Sequence, residues 1–295
     1  MNEQIVIATF YKFTPMTDLP KHQQEMKTFC LEHSIKGSIL LAEEGINATV
    51  AGSRAGVDDL LAWLRQRPGL ADLEHKESFA TAVPFQRMKV RLKREIVNMQ
   101  VPSVAPEEMV GRYVPPQEWN ALISDPEVLL VDTRNDFEVQ LGTFQGAINP
   151  HTKAFHQFPG YVQQQLDPQK HKKVALFCTG GIRCEKATSY MLGLGFTEVY
   201  HLQGGILKYL EMVPASESLW EGECFVFDER VTVNHDLEPG EGELCHACQR
   251  PLTDTDRQSA QYIFGVCCPH CHDTLDPERK ARFTEQQRQK RAVLS

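Results

Sequence analysis

The segment Val174-Ala-Leu-Phe177-Cys178-Thr-Gly-Gly-Ile-Arg183 constrains the chain more than any other. Four apolar residues in a row suit a strand buried on both faces, the habit of parallel sheets. The two glycines after it allow a loop that curls tightly on itself. Helical spacing of Ala187, Tyr190, Met191 and Leu194 predicts a helix from Cys184 to about Leu194. The thiol is therefore delivered where backbone N–H groups converge at a helix N-terminus, a concavity that favours an anion. Such a field lowers a thiol pKa and holds a thiolate, or a persulfide built on it. Arg183 closes the loop and adds positive charge. The alternative, an inert buried cysteine at a strand end, does not call for this surrounding chemistry.

Spacing separates two enzyme classes. Cysteine phosphatases place five residues between Cys and Arg, enough for a phosphate; here four separate Cys178 from Arg183. The tighter ring suits a sulfur atom, so a phosphatase is disfavoured. Cys184 lies at the far end of the loop. It can resolve an oxidised Cys178 as a disulfide, or simply pack the helix start as a small residue.

Strands alternate with helices around this loop. Val128–Val131, Gly146–Asn149, Val174–Phe177 and Glu198–Leu202 read as strands, which predicts a parallel sheet. Asp132 and Arg134 are expected to orient loops at its carboxyl edge. Pro102, Pro106, Pro115 and Pro116 mark a linker before it.

The first hundred residues read as βαββαβ, the ferredoxin-like order. The predicted elements are strands at Ile5–Tyr11, Ser38–Ala42, Ile46–Ala51 and Met88–Val97, with helices at Leu19–His33 and Arg54–Arg65. In the last strand, alternation puts Lys89, Arg91 and Lys93 on one face. That face is either a solvated exterior or a ridge for nucleic-acid phosphates. Phe10, Tyr11 and Phe13 beside Lys12 offer rings on which bases can stack.

The net charge of −8 says little about partners, because it is unevenly spread. Residues 1–100 carry 13 basic and 12 acidic side chains, whereas Glu217 to Glu243 is strongly acidic and Glu278 to Ser295 is basic. The cations at Arg288–Arg291 are a second candidate for phosphate contacts. No apolar run approaches the roughly 18 residues of a membrane span, and Met1–Phe10 lacks a basic signal-peptide start. The expected location is the cytoplasm.

Five of nine cysteines crowd between 245 and 271. Cys245-x2-Cys248 and Cys268-x2-Cys271, 19 residues apart, have the spacing of a four-cysteine structural zinc site. Cys267 can replace Cys268, and His246, His270 or His272 can substitute.

Several motifs carry a family resemblance. Asp132-Thr-Arg134, Glu138, Gly142 to Pro150, the Cys178–Arg183 loop and Gly195-Phe196 through Gly204-Gly205 resemble a rhodanese domain. Phe10-Tyr-Lys-Phe13, Ile39 to Asn47, Lys89 to Val97 and Cys178 to Lys186 are similar to the rhodanese-containing tRNA uridine hydroxylases, over nearly the whole chain. The resemblance implies an α/β chain in three parts. These are a ferredoxin-like α+β domain at 1–100 that binds tRNA, a rhodanese parallel-sheet domain at 115–218, and residues 219–295 as acidic linker, zinc-ribbon-like module and basic tail. It implies O2-dependent conversion of the wobble uridine to 5-hydroxyuridine, with Cys178 as the active-site cysteine and persulfide carrier. tRNA is the implied partner, molecular oxygen the co-substrate and zinc a structural metal; the residues point to no protein partner and no electron donor. No dinucleotide-binding glycine motif follows a strand in the expected way. Two other readings stay open on the residues alone: a sulfurtransferase carrying persulfide on Cys178, and a non-enzymatic module sensing redox state through Cys178 and Cys184.

Overall fold

The computed structural model describes residues 4–294, with side chains through Gln289. Lys290 and Arg291 of the expected basic tail thus lie outside the described side chains. The N-terminal unit runs β1 (Ile5–Phe13), α1 (Leu19–Glu32), β2 (Lys36–Ala42), β3 (Gly45–Gly52), α2 (Arg54–Arg65), β4 (Lys76–Ala80) and β5 (Met88–Leu92). Its sheet order is β4-β1-β3-β2-β5. The first four strands make the ferredoxin-like pattern, and β5 is added parallel to β2.

This corrects one assignment. The strand that closes the βαββαβ motif is Lys76–Ala80, and Met88–Leu92 sits at the opposite edge. Lys-Glu-Ser-Phe-Ala shows no apolar alternation because β4 is an edge strand with no fully buried residue. The expected strand over Met88–Val97 stops at Leu92 because Glu95 and Ile96 turn back onto Glu44 and Lys186.

Alternation along each strand sorts the sheet into two faces. Val6, Ala8, Phe10, Ile39, Leu41, Ile46, Ala48 and Val50 meet Leu60, Leu61 and Leu64 of α2 and Met26 and Cys30 of α1 in one core. Serine at the α2 N-cap, Ser53, accepts from the Gly56 N–H at 3.1 Å and fixes where that helix starts. The other face carries two cross-strand rows, Lys76–Thr9–Thr49–Ser38–Lys89 and Tyr11–Asn47–Leu40–Arg91.

The central unit contains β6 (Arg112–Val114), α3 (Pro116–Ile123), β7 (Val128–Asp132), α4 (Asp136–Val139), β8 (Gly142–Phe144), α5 (Phe158–Gln165), β9 (Lys173–Phe177), α6 (Ile182–Gly193), β10 (Glu198–Leu202) and α7 (Gly205–Met212). β6, β10, β9 and β7 form a parallel sheet in that order. The proline-rich stretch therefore holds an edge strand, β6, within what reads as linker. Gly146–Asn149 is a single bridge, Ile148 to Val131, rather than a strand. Instead β8 pairs antiparallel with β11 (Trp220–Gly222).

The acidic stretch after the sheet is packed rather than free. Trp220, Cys224, Val226 and Val233 join Trp119, Phe144 and Phe177 in the core around β8. Its short strands β12 (Cys224–Phe225) and β13 (Thr232–Val233) form a hairpin. The chain then makes a second hairpin, β14 (Glu243–Leu244) and β15 (Pro251–Leu252), followed by α8 (Asp254–Gln258) and α9 (Pro277–Leu294).

Candidate active site

Cys178 immediately follows the inner strand β9 at the carboxyl edge of the parallel sheet, where α/β folds gather their reactive groups. Its side chain is buried. The Gly181 N–H donates to Sγ at 3.1 Å, and Gly181, at φ +102°, adopts a left-handed backbone that lets the loop turn into α6. Burial alone pushes the Cys178 thiol up. The Cys184 thiol, the Arg183 charge and the N–H groups of Cys184 and Gly181 outweigh it and bring the pKa down to about 5. Burial and the neighbouring Cys178 charge drive Cys184 the opposite way, so it stays a protonated donor.

The loop is fastened from below. The Ile206 N–H donates to the Cys178 carbonyl at 3.0 Å and the Leu207 N–H to the Thr179 carbonyl at 3.1 Å. This approach requires glycine at 205: its φ is +69°, and a Cβ there would lie 2.5 Å from the Cys178 carbonyl oxygen.

Arg183 sits where its spacing placed it, but its guanidinium faces a carboxylate. It donates two parallel hydrogen bonds of 2.7 Å to Glu138, both side chains buried. Burial would raise the Glu138 pKa, yet the Arg183 and Arg134 charges hold it below the usual carboxylate value. Below that pair, Arg134 and Asp132 form a second buried ion pair at 2.7 Å, and Arg134 also donates to the Gly142 carbonyl at 2.5 Å. Arg183 thus acts on the sulfur through field and loop geometry, with Glu138 fixing its plane.

The N-terminal unit covers the loop. The Tyr11 hydroxyl donates to the Glu185 carboxylate at 2.7 Å, and a Cβ on Gly181 would lie 2.8 Å from that hydroxyl. The Lys76 ammonium donates to the Gly180 carbonyl at 2.9 Å. Lys186, on α6 and buried, is clamped by Glu44 at 2.8 Å and Glu95 at 2.6 Å. Phe13, Ala42 and Ile96 pack with Ile182. Phe10 and Phe13 are core residues, Tyr11 is held at this seam and Lys12 is paired with Asp72, so these residues form no base-stacking platform.

The register puts Lys89 and Arg91 on the sheet face that carries Tyr11. Lys89 is half-buried and Arg91 exposed; Lys93 follows the strand, its N–H donating to the Leu41 carbonyl at 2.8 Å. Among the described residues none of the three has a carboxylate within ion-pair reach. Tyr11, Glu185, Lys76 and Glu138 are site residues that reading the chain did not assign. Tyr11 reads as a base-stacking ring, while Glu185 and Glu138 stand inside the family motifs without an assigned role. Lys76 has no local signal at all, since it comes from the strand that was misplaced.

In the C-terminal module the sulfurs of Cys245, Cys248, Cys268 and Cys271 lie within 4.8 Å of one another. The separations are 3.7 Å for Cys245–Cys271, 3.7 Å for Cys248–Cys268 and 3.9 Å for Cys268–Cys271. Four thiolates about 2.3 Å from a tetrahedral ion stand roughly 3.8 Å apart. The set fits a metal such as zinc. Cys267 points away, toward the Gln261 carbonyl. Of the histidines, His270 and His272 pair with Asp256 and Asp273, and His246 packs on Phe283.

The chain matches the model of a UPF0176 acylphosphatase-like domain over residues 5–96 and of a rhodanese-like domain over 115–212. It is 57% identical over 284 residues to a tRNA uridine(34) hydroxylase of Teredinibacter turnerae, covering 96% of this chain and 88% of that one. It is 58% identical over 289 residues to a tRNA uridine(34) hydroxylase of a Picosynechococcus strain, covering 97% of each. The chain belongs to the tRNA uridine(34) hydroxylase family. A solved rhodanese-like domain from Anabaena is also similar, at 16% identity, 39% coverage of this chain, 80% of that chain and a TM-score of 0.32.

The thiolate makes a prediction about pH. Because the folded pKa is depressed, the stabilisation by the charged sulfur is present above the ordinary thiol value and is lost as pH falls through about 5. The thiolate ultraviolet absorbance that Cys178→Ser removes should therefore titrate near pH 5. An inflection near 9 would mean that the cradle does not hold a charge.

Proposed function

We propose that the protein hydroxylates uridine 34 of tRNA, converting it to 5-hydroxyuridine, with Cys178 as its catalytic cysteine. The observation that carries this reading is a buried sulfur poised as an anion, in a chain matching two tRNA uridine(34) hydroxylases along nearly its full length. Molecular oxygen is the co-substrate in this reading. Placing one of its atoms on the ring and releasing the other as water consumes two electrons from a cellular reductant. The residues on hand supply a reactive sulfur, donors that hold its charge and walls that exclude water. Cys184, whose pKa burial and the Cys178 charge raise, supports this reading as a protonated donor to the Cys178 sulfur; to resolve an oxidised Cys178 as a disulfide it would first have to lose that proton. No helix among the described residues is long and apolar enough to cross a membrane. The reading places the protein in the cytoplasm with its tRNA.

One feature favours a second reading. A cradle this tight suits a persulfide, and sulfur transfer from Cys178 would also modify the base. High-resolution nucleoside mass spectrometry under isotopically labelled O2 decides between them, because adding oxygen and exchanging oxygen for sulfur change the nominal mass equally. Label should enter U34 with the native protein, and Cys178→Ser should abolish it while the fold is retained. Label incorporated by Cys178→Ser at the native rate would remove Cys178 from catalysis; thiolated U34 would establish the second reading.

Lys89, Arg91 and Lys93 are assigned to tRNA phosphates. Support comes from the register of Lys89 and Arg91, which share the sheet face whose Tyr11 meets the Cys178 loop; Lys93 follows the strand and has no place in that register. Neutralising all three should weaken tRNA binding and flatten its salt dependence, by about 0.7–0.9 in the log–log slope for each phosphate no longer neutralised. Unchanged affinity and slope would make this face a solvated exterior.

Cys245, Cys248, Cys268 and Cys271 are assigned to one structural zinc, which ties the β14–β15 hairpin to the start of α9 through a core of only a few apolar residues. Cys245→Ser should release the metal and open this module to protease while leaving the Cys178 titration intact. Retention of one zinc per chain would exclude Cys245 as a ligand.

A further inference from the structure

Arg183 is the cation that the loop sequence advertises, yet its charge is shared with Glu138 through two short hydrogen bonds. The other cation at the loop is Lys76. Its ammonium reaches the Gly180 carbonyl from the edge strand of the other domain, 5.5 Å from the centre of the Tyr11 ring. Among the described residues it has no carboxylate within ion-pair distance. Its stem passes close to Gly204: a Cβ there, at a backbone φ of +75°, would meet the Lys208 stem at 2.6 Å and the Lys76 Cε at 3.1 Å.

We propose that Lys76 is a positioning residue of the hydroxylase site, pinning the loop at Gly180 and supplying the Cys178 sulfur with positive charge that is not committed to a carboxylate. This rests on Cys178 being the catalytic cysteine. The charged and titratable groups facing that sulfur are Arg183, Cys184 and Glu185 from α6, Lys76 from β4 and Tyr11 from β1; Glu138 backs Arg183, and Tyr113 of β6 adjoins Glu185. Glu185 is the opposing charge. The ammonium, on the Gly180 carbonyl, and the carboxylate, on the Tyr11 hydroxyl, are both half-buried, in surroundings where such fields are weakly screened. Burial and, more weakly, the Lys208 ammonium of α7 lower the Lys76 pKa, while the charges of Cys178, Glu185 and Glu74 act to keep the ammonium protonated. The domain that presents RNA phosphates to the site thereby also tunes its sulfur.

The test titrates the Cys178 thiolate absorbance in the full-length protein, as the difference from Cys178→Ser. Lys76→Met keeps the stem and removes the charge. It should move the inflection upward, cutting the thiolate fraction at pH 6 about threefold, and lower kcat with little change in KM for tRNA. Lys76→Arg should restore the native inflection, and Glu185→Gln should move it downward. A purely structural lysine would lower the thermal midpoint and leave the inflection where it was; that result overturns the proposal. If Lys76→Met does not fold, Lys76→Gln in the same titration decides. Hydroxylation by Cys178→Ser would instead sink the underlying reading of Cys178, whatever the Lys76 variants do.

Discussion

An anion kept out of water must find its solvation in the protein, and that requirement at Cys178 organises most of what surrounds it. Taking a thiolate out of water is costly unless fixed dipoles and charges replace the lost hydration. The Gly181 N–H, the start of α6, the Cys184 thiol and the Arg183 field do so here. Each contributor needs its own support. Arg183 needs Glu138; the loop needs the α7 amides; α7 can approach only because residue 205 lacks a side chain. The buried pairs are weak evidence for stability in themselves, since desolvation offsets their attraction, but removing one partner would strand a charge. They are better read as specifying a single geometry around the sulfur.

The loop was legible in the chain because its determinants are local. A strand, a cysteine, two glycines and an arginine lie within ten residues, and spacing alone separates a sulfur cradle from a phosphate cradle. The four converging cysteines were legible for the same reason. What escaped is non-local. β4 is short, polar and at an edge, so it has no periodicity to read, and its pairing with β1 is a property of the folded sheet. The misplaced strand hid Lys76. Tyr11 read as a base-stacking ring because its partner, Glu185, is 174 residues away. The acidic stretch after α7 likewise read as linker, since Trp220 and Val226 find their core only against β8 and its neighbours.

The two domains meet along one seam, and its chemistry is uneven. Lys186 is held by two carboxylates of the N-terminal unit and is buried, whereas Tyr11 and Lys76 each make a single polar contact to the loop region. Beside the clamp, Phe13, Ala42 and Ile96 pack on Ile182 and bury apolar surface, while Tyr11 and Lys76 meet the loop region itself. The same sheet face continues to Arg91 at its far edge, across strands spaced about 4.8 Å apart.

Covering the sulfur with a second domain also bears on how the protein matures. Oxidation of cysteine follows thiolate character and access, so a low-pKa thiol left open to peroxide would climb irreversibly toward sulfinic acid. The N-terminal unit precedes β9 in the chain and has its own core, and domains generally fold as units in order of synthesis. The surface that shields the cysteine loop is thus synthesised ahead of the loop itself. Chain order therefore gives the reactive sulfur a chaperone within its own polypeptide.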